Sequence, residues 1–301
     1  MARTCEKPFG GATTTPSLYG RGTVSICRRG NNGSILVAAI NRPKVKNALN
    51  DDVYEDLIEV LEQAKNDPSI AAVVWTGAGT YFSSGADVND GHFETANKKK
   101  AVTESILQKP GGRFMIAIVS FPKVLCAAVQ GPVIGIAATA LMQCDLVFFS
   151  DKAFFWAPFS RLALVPELTS SATFLETMGL SKANELLLLG KRVNAQTALE
   201  WGICSRVMSD CDTGGDPFHP HSLASRMCAE LDQKLLSLPN GHATAQVFTD
   251  LVKGARRSRM HHVLLRELAV LDQRFQNGEV VEAAKQLVIG GTKNKTPRSR
   301  L

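Results

Sequence analysis

The sequence predicts an α/β fold of parallel strands joined by crossover helices, followed by a purely helical C-terminal region. Short apolar, β-rich runs alternate with stretches of helical periodicity between residues 23 and 208, the pattern of strands linked by helices crossing over the sheet. Beyond residue 220 every apolar pattern has helical spacing. Two glycine turns, Ser83-Ser84-Gly85-Ala86-Asp87 and Gln130-Gly131-Pro132-Val133-Ile134-Gly135-Ile136-Ala137, each follow one of the strand-like runs.

Strands are expected at Thr23–Cys27, Ser34–Ile40, Ile70–Thr76, Val124–Val129, Asp145–Ser150 and near Cys204–Met208. A helix is expected over Asp52–Ala64, where Val53, Leu57, Leu61 and Ala64 recur at helical spacing and Pro68 follows the end. Residues 97–119 read as a second helix, interrupted near Pro110-Gly111-Gly112, and further helices cover about 170–179, 181–189 and 195–201. Cys211 to Pro220 is loop-like. Leu223–Leu236, Ala243–Lys253, His261–Phe275 and Val280–Val288 then read as amphipathic helices that pack on their own core or on a neighbouring subunit.

The chain has 301 residues, 45% hydrophobic and 21% charged, as an ordinary globular protein does. Its net charge of +6 gathers near the C-terminus, at Lys253, Arg256, Arg257, Arg259, Lys293, Lys295, Arg298 and Arg300. Few aromatics are interleaved with these charges, which argues against nucleic acid; an anionic small substrate such as a nucleotide-bearing thioester suits the excess. The seven cysteines are scattered without metal-ligand spacing, pointing to a reducing compartment. No signal peptide is visible in residues 1–20. The uncharged run Val124–Cys144 is broken by Gln130-Gly131-Pro132, so it reads as a buried strand and helix, not a membrane span. The closing Ser299-Arg300-Leu301 matches the small–basic–Leu pattern of a peroxisomal address, with arginine in place of lysine.

The glycine turns carry the chemistry. A glycine bend after a strand lets backbone N–H groups point into a cleft, and at a helix start those donors lack an intrahelical acceptor. Two such turns converging would form an oxyanion hole for an acyl carbonyl; each alone is also an ordinary βα connection. No phosphate-binding glycine loop is present, and His92, His219, His221, His242, His261 and His262 show no ligand spacing.

Asn41-Arg42-Pro43-Lys44-Val45-Lys46-Asn47-Ala48-Leu49, the two turns, and Ala157-Pro158-Phe159-Ser160 through Pro166-Glu167 follow one another in an order and spacing that resemble the crotonase (enoyl-CoA hydratase/isomerase) superfamily over about residues 22–290. Pro158-Phe159-Ser160, Pro166-Glu167 and Ser170-Ser171 look like the peroxisomal Δ3,Δ2-enoyl-CoA isomerases within it. The resemblance implies a ββα spiral core over 21–215 behind a flexible segment 1–20. A helical trimerisation region would cover 216–292, with a basic targeting tail at 293–301. It implies oxyanion donors on the amides of Ser84 and Ile136. Contacts to the CoA substrate are implied for Lys44, Lys46, Ala48, Ser84, Gly85, Ala86, Asp87, Val88 and Gly135, with Asp87 also tying its loop.

The carboxylates choose the reaction. Family hydratases carry two glutamates, at the positions that are Thr139 and Phe159 here; neither can act as a base. Glu167 stands where the resembling isomerases have their glutamate, in an apolar setting (Leu164, Val165, Pro166, Leu168) that would raise its pKa. The residue also precedes an expected helix, where a glutamate can simply face the dipole. Leu168 departs from the glycine frequent there and bears on acyl-pocket shape. The implied protein is a Δ3,Δ2-enoyl-CoA isomerase of unsaturated fatty acid β-oxidation. It would need no metal or cofactor, form a homotrimer or dimer of trimers, and be imported by a peroxisomal receptor into peroxisomes or a related organelle such as a glycosome. Other crotonase activities (hydratase, dienoyl-CoA isomerase, thioester hydrolase) and a non-catalytic acyl-CoA- or RNA-binding homologue are the alternatives. For dienoyl isomerisation further pocket acids are needed, with Asp151, Glu176 and Glu185 as the sequence's candidates.

Overall fold

The computed structural model describes residues 14–87, 105–209, 211, 213–280, 282 and 283. Val88, His92, the basic tail with Ser299-Arg300-Leu301, and most of the helix expected at Val280–Val288 lie outside them.

Along the chain come β1 (Ser17–Tyr19), β2 (Val24–Arg29) and β3 (Ile35–Ile40), then α1 (Asp51–Asn66), β4 (Ala72–Gly77) and α2 (Pro110–Ser120). Next are β5 (Val124–Val129), β6 (Val133–Ile134), α3 (Ile136–Ala140), β7 (Leu146–Ser150) and β8 (Phe154–Trp156). The last are α4 (Ser170–Met178), α5 (Leu180–Leu187), β9 (Arg192–Asn194), α6 (Ala195–Glu200), β10 (Arg206–Met208), α7 (Leu223–Leu231) and α8 (Gly241–Gln276). Among the described residues, seven strands form one sheet in the order β1-β2-β3-β4-β5-β7-β10, and β6-β8-β9 form a second. In the large sheet every neighbouring pair from β3 to β10 is parallel, whereas β2 runs antiparallel to both β1 and β3.

The six strands expected from sequence make up all of the large sheet but β1, and β5 has the bounds expected for it. β3, β4 and β5 are buried at every position, which is why their sequences are continuous apolar runs and not alternating ones. β1, β6, β8 and β9 were not expected; they hold two or three residues each, too few to show a period.

α1 begins where Asn50 Oδ1 accepts the amide of Val53 at 3.2 Å, with Asp51 and Asp52 in the first turn, both favourable at a positive helix end. In α7 the expected helix Leu223–Leu236 is divided, its last five residues forming a π-helical segment. The two helices expected at Ala243–Lys253 and His261–Phe275 are one helix, α8, of 36 residues. Gly254 does not interrupt it; a lone interior glycine costs about 1 kcal/mol. Burial of Met260, Leu264, Leu268 and Leu271 at helical spacing holds the C-terminal half against the main core. Among the described residues no helix is long and apolar enough to cross a membrane, and no group of three or more His, Cys, Asp or Glu is placed to hold a metal.

Candidate active site

The two glycine turns meet at the C-terminal ends of β4 and β5. Ile134 N–H donates to Ser83 O at 3.0 Å and Phe82 N–H to Pro132 O at 3.1 Å, so the loop after β4 lies alongside β6. A Cβ on Gly85 would stand 2.8 Å from Ile134 O, and one on Gly131 would stand 1.9 Å from Thr80 O. Only glycine allows the turns to approach this closely.

The segment Arg42–Leu49 staples the first turn from the other side. Leu49 N–H donates to Gly85 O at 2.8 Å and Asp87 N–H to Leu49 O at 2.9 Å. Arg42 reaches Ala48 O at 2.6 Å and the Asp87 carboxylate at 3.0 Å, so Asp87 ties its loop. Asn47, fully buried, accepts the Arg42 amide at 2.9 Å and donates to Ala78 O and Tyr81 O at 2.8 and 2.7 Å. Sequence reasoning had no role for Asn47. Its amide in a loop gave no signal beyond membership of the motif.

The amides that meet no protein acceptor among the described residues include Ala86 and Ile136, of which only Ile136 is expected from the sequence. The Ser84 N–H donates to Lys46 O at 2.9 Å and is therefore not available to an oxyanion. Ala86 lies two residues on; its N–H meets no protein acceptor and the residue is exposed. Because backbone direction alternates along an extended turn, an error of two residues keeps the face but moves the donor. The Ile136 N–H opens α3 without an acceptor, directly after Gly135, whose own amide is held by Trp156 O at 2.9 Å. Ala48 and Gly85 are buried beneath the turn, and Lys44 and Lys46 are exposed at its rim, Lys46 Nζ standing 5.3 Å from the Tyr81 ring centre.

Glu167 lies in the turn after Phe159–Leu162 and before α4. Leu168 and Thr169, which follow it, both adopt left-handed backbone (φ 51° and 64°), a conformation costing roughly 1 kcal/mol each for non-glycine residues. Glu167 keeps part of its surface open, and its carboxyl has no hydrogen bond or ion pair among the described residues. Burial, and then the nearby Glu267, push its pKa up to about 8. A group in that range exchanges protons readily near neutral pH.

The hydratase positions are closed. Thr139 is fully buried with its hydroxyl donating to Ile136 O at 3.0 Å, and Phe159 is a core residue. Glu176 is exposed and paired with Arg256 and Arg259, Glu185 pairs with Lys191, and Asp151 is exposed; none of the three adds a second acid beside Glu167. His219 and His221 are half-buried with ring centres 5.5 Å apart.

With this architecture, and with the enoyl-CoA hydratase/isomerase profile matching residues 30–219, the chain belongs to the enoyl-CoA hydratase/isomerase, or crotonase, family. Among its relatives, enoyl-CoA delta isomerase 2 of Rattus norvegicus is 33% identical over 261 residues, 85% of this chain and 61% of that protein. The peroxisomal enoyl-CoA delta isomerase 3 of Mus musculus is 31% identical over 263 residues, 87% of this chain and 77% of that protein. This chain thus spans less than two thirds of the rat relative's length. The crystal structure of an enoyl-CoA hydratase/isomerase from Pseudoalteromonas atlantica T6c superposes with a TM-score of 0.74 at 28% identity, covering 92% of this chain and 100% of that one.

Proposed function

We propose that the protein is a Δ3,Δ2-enoyl-CoA isomerase that moves a 3-cis or 3-trans double bond to 2-trans, working with one carboxylate. The observation that carries this reading is a single unpaired glutamate of raised pKa in a chain that leaves the Ala86 and Ile136 amides without a protein acceptor and has Thr139 and Phe159 at the hydratase positions. The Glu167 carboxylate takes a proton from C2, and the electron pair of that C–H bond becomes an enolate delocalised from the thioester oxygen to C4. The amides of Ala86 and Ile136 hold the oxygen as it becomes negative. The same carboxyl returns its proton at C4, leaving the double bond between C2 and C3. Atoms and charge balance without any cofactor or metal. Water addition would need a second group to orient the water, and the Thr139 hydroxyl is held by its own helix.

Lys44, Lys46 and the residues from Ser84 to Asp87 border the path of the CoA nucleotide in this reading. A homotrimer or dimer of trimers is supported by Val247, Phe248, Leu251 and Val252, which lie along one side of α8 and are each more than half exposed. A peroxisomal location is supported by the name of the mouse relative. The test is to assay the purified protein with 3-enoyl-CoA and 2-enoyl-CoA side by side. Isomerisation without hydration is expected; hydration without isomerisation would overturn the reading.

A further inference from the structure

Glu267 sits on α8, 98 residues after Thr169 in sequence, and is buried. Its Oε2 accepts the Thr169 amide at 2.6 Å and its Oε1 accepts the Ser171 amide at 2.9 Å. These are first-turn donors of α4, a helix whose N-cap side chain makes no capping bond. A carboxylate from a distant helix thus does what a local cap would do. Thr169 is gripped a second time, its Oγ1 accepting Gln143 Nε2 at 2.7 Å. Gln143 lies in the turn that continues α3, the helix opened by Ile136. The left-handed pair Leu168–Thr169 is therefore clamped between the long helix and the helix of the second glycine turn. Burial is the larger cause of the raised Glu167 pKa and the neighbouring Glu267 the smaller; burial raises the Glu267 carboxyl too, although its two amide donors work the other way, and no Lys, Arg or His among the described residues pairs with Glu167.

We infer that Glu267 is the positioning residue of the catalytic base, fixing the turn that carries Glu167 while placing a like charge beside it. This rests on the isomerase reading for the name of the base, although not for the contact itself. Glutamine at 267 would keep one acceptor, set an amide NH2 against a backbone N–H, and remove the charge. Aspartate would keep the charge but fall one methylene short of holding both amides.

The experiment compares the wild type, Glu267→Gln and Glu267→Asp by kcat, KM and pH profile on 3-enoyl-CoA. In parallel, the thermal stability difference between each protein and its Glu167→Gln counterpart is followed from pH 4 to 10. That difference stops changing once Glu167 has lost its proton in the native state, so its break point reports the base with no substrate present. Glu267→Gln is expected to lower kcat by about 10²-fold with KM nearly constant. It should also move the acidic limb of the profile, and the stability break point, to lower pH. Glu267→Asp is expected to lose kcat while the limb stays where it is. A limb and break point unmoved in Glu267→Gln would mean a purely structural cap and would overturn the inference, as would an unchanged kcat. Should Glu267→Gln not fold, the same readouts are taken on Leu168→Gly/Glu267→Gln, in which glycine occupies a left-handed position. A wild type inactive on 3-enoyl-CoA would overturn the isomerase reading alone, because the break point still decides whether Glu267 acts on Glu167.

Discussion

The two parts of the candidate site, a backbone wall and a side-chain wall, present their chemistry by different means. The oxyanion wall is made of backbone: loops from Arg42–Leu49, Phe82–Asp87 and Pro132–Ile136 bond to one another, and the groups left over are amides. The base wall is made of one side chain on a turn of two left-handed residues, held by Gln143 and by Glu267 from the far end of the chain. A backbone wall tolerates changes of side chain, as Ile136 and Ala86 illustrate, but not of Cβ clearance. A side-chain wall depends on its one functional group and on distant supports.

The sharpest way to break this contrast is to remove the base. Glu167→Gln keeps the shape of the turn and takes away the proton carrier, so turnover of 3-enoyl-CoA should fall by about 10⁴-fold with an unchanged circular dichroism spectrum. On the other wall the corresponding change is Gly85→Ala. Its methyl would meet Ile134 O at 2.8 Å with φ at +85°, forcing the turns apart and misplacing the Ala86 amide. A loss of about 10²–10³ in kcat is expected, with the pH profile keeping its position because Glu167 is untouched. A Gly85→Ala enzyme of normal kcat would show that the amides are not the oxyanion donors.

How much of each wall could be read from the sequence follows from the same contrast. The glycine turns, β5 and the loss of both hydratase glutamates were legible because they are local patterns: an apolar run, a bend without side chains, a residue type at a fixed spacing. The resemblance points to Ser84 and the structure to Ala86, because spacing does not reveal which amide of a turn is engaged, and Lys46 O decides that only in three dimensions. Glu167 was legible as a carboxylate among apolar neighbours. Glu267 was not, since it comes from α8, where a glutamate in an amphipathic pattern reads as solvated. The small sheet and the continuity of α8 were hidden for a related reason: two- or three-residue strands have no period, and packing outweighs one glycine.

Stability should mirror the asymmetry. A carboxyl with a native pKa of about 8, against an ordinary 4.5, retains its proton in the folded state over a range where the unfolded chain has lost it. The native state then binds more protons between these values, so raising the pH through that window lowers stability, and the loss is complete above 8. Glu167→Gln should therefore be more stable than the wild type by about 3 kcal/mol at pH 9, allowing for the part of the residue that stays wet, and nearly equal to it at pH 4. Urea unfolding at the two pH values measures this; equal stability at pH 9 would mean that the carboxyl is not held against its own ionisation.

The smallest expected effect falls on the backbone wall and separates support from chemistry. Asn47→Ala deletes three hydrogen bonds and leaves the Arg42 amide and Ala78 O without their partner. It also puts alanine at φ 54°, where asparagine is better tolerated. A loss of about 2 kcal/mol in unfolding free energy is expected, with a lower kcat as the Phe82–Asp87 turn loosens. The base wall shares no bond with Asn47, so the acidic limb of the pH profile should stay in place. A limb that moved in Asn47→Ala would show that the two walls are mechanically one, coupled through Ser83 and β6, and that the Gln143–Thr169 contact joins supports which are not independent.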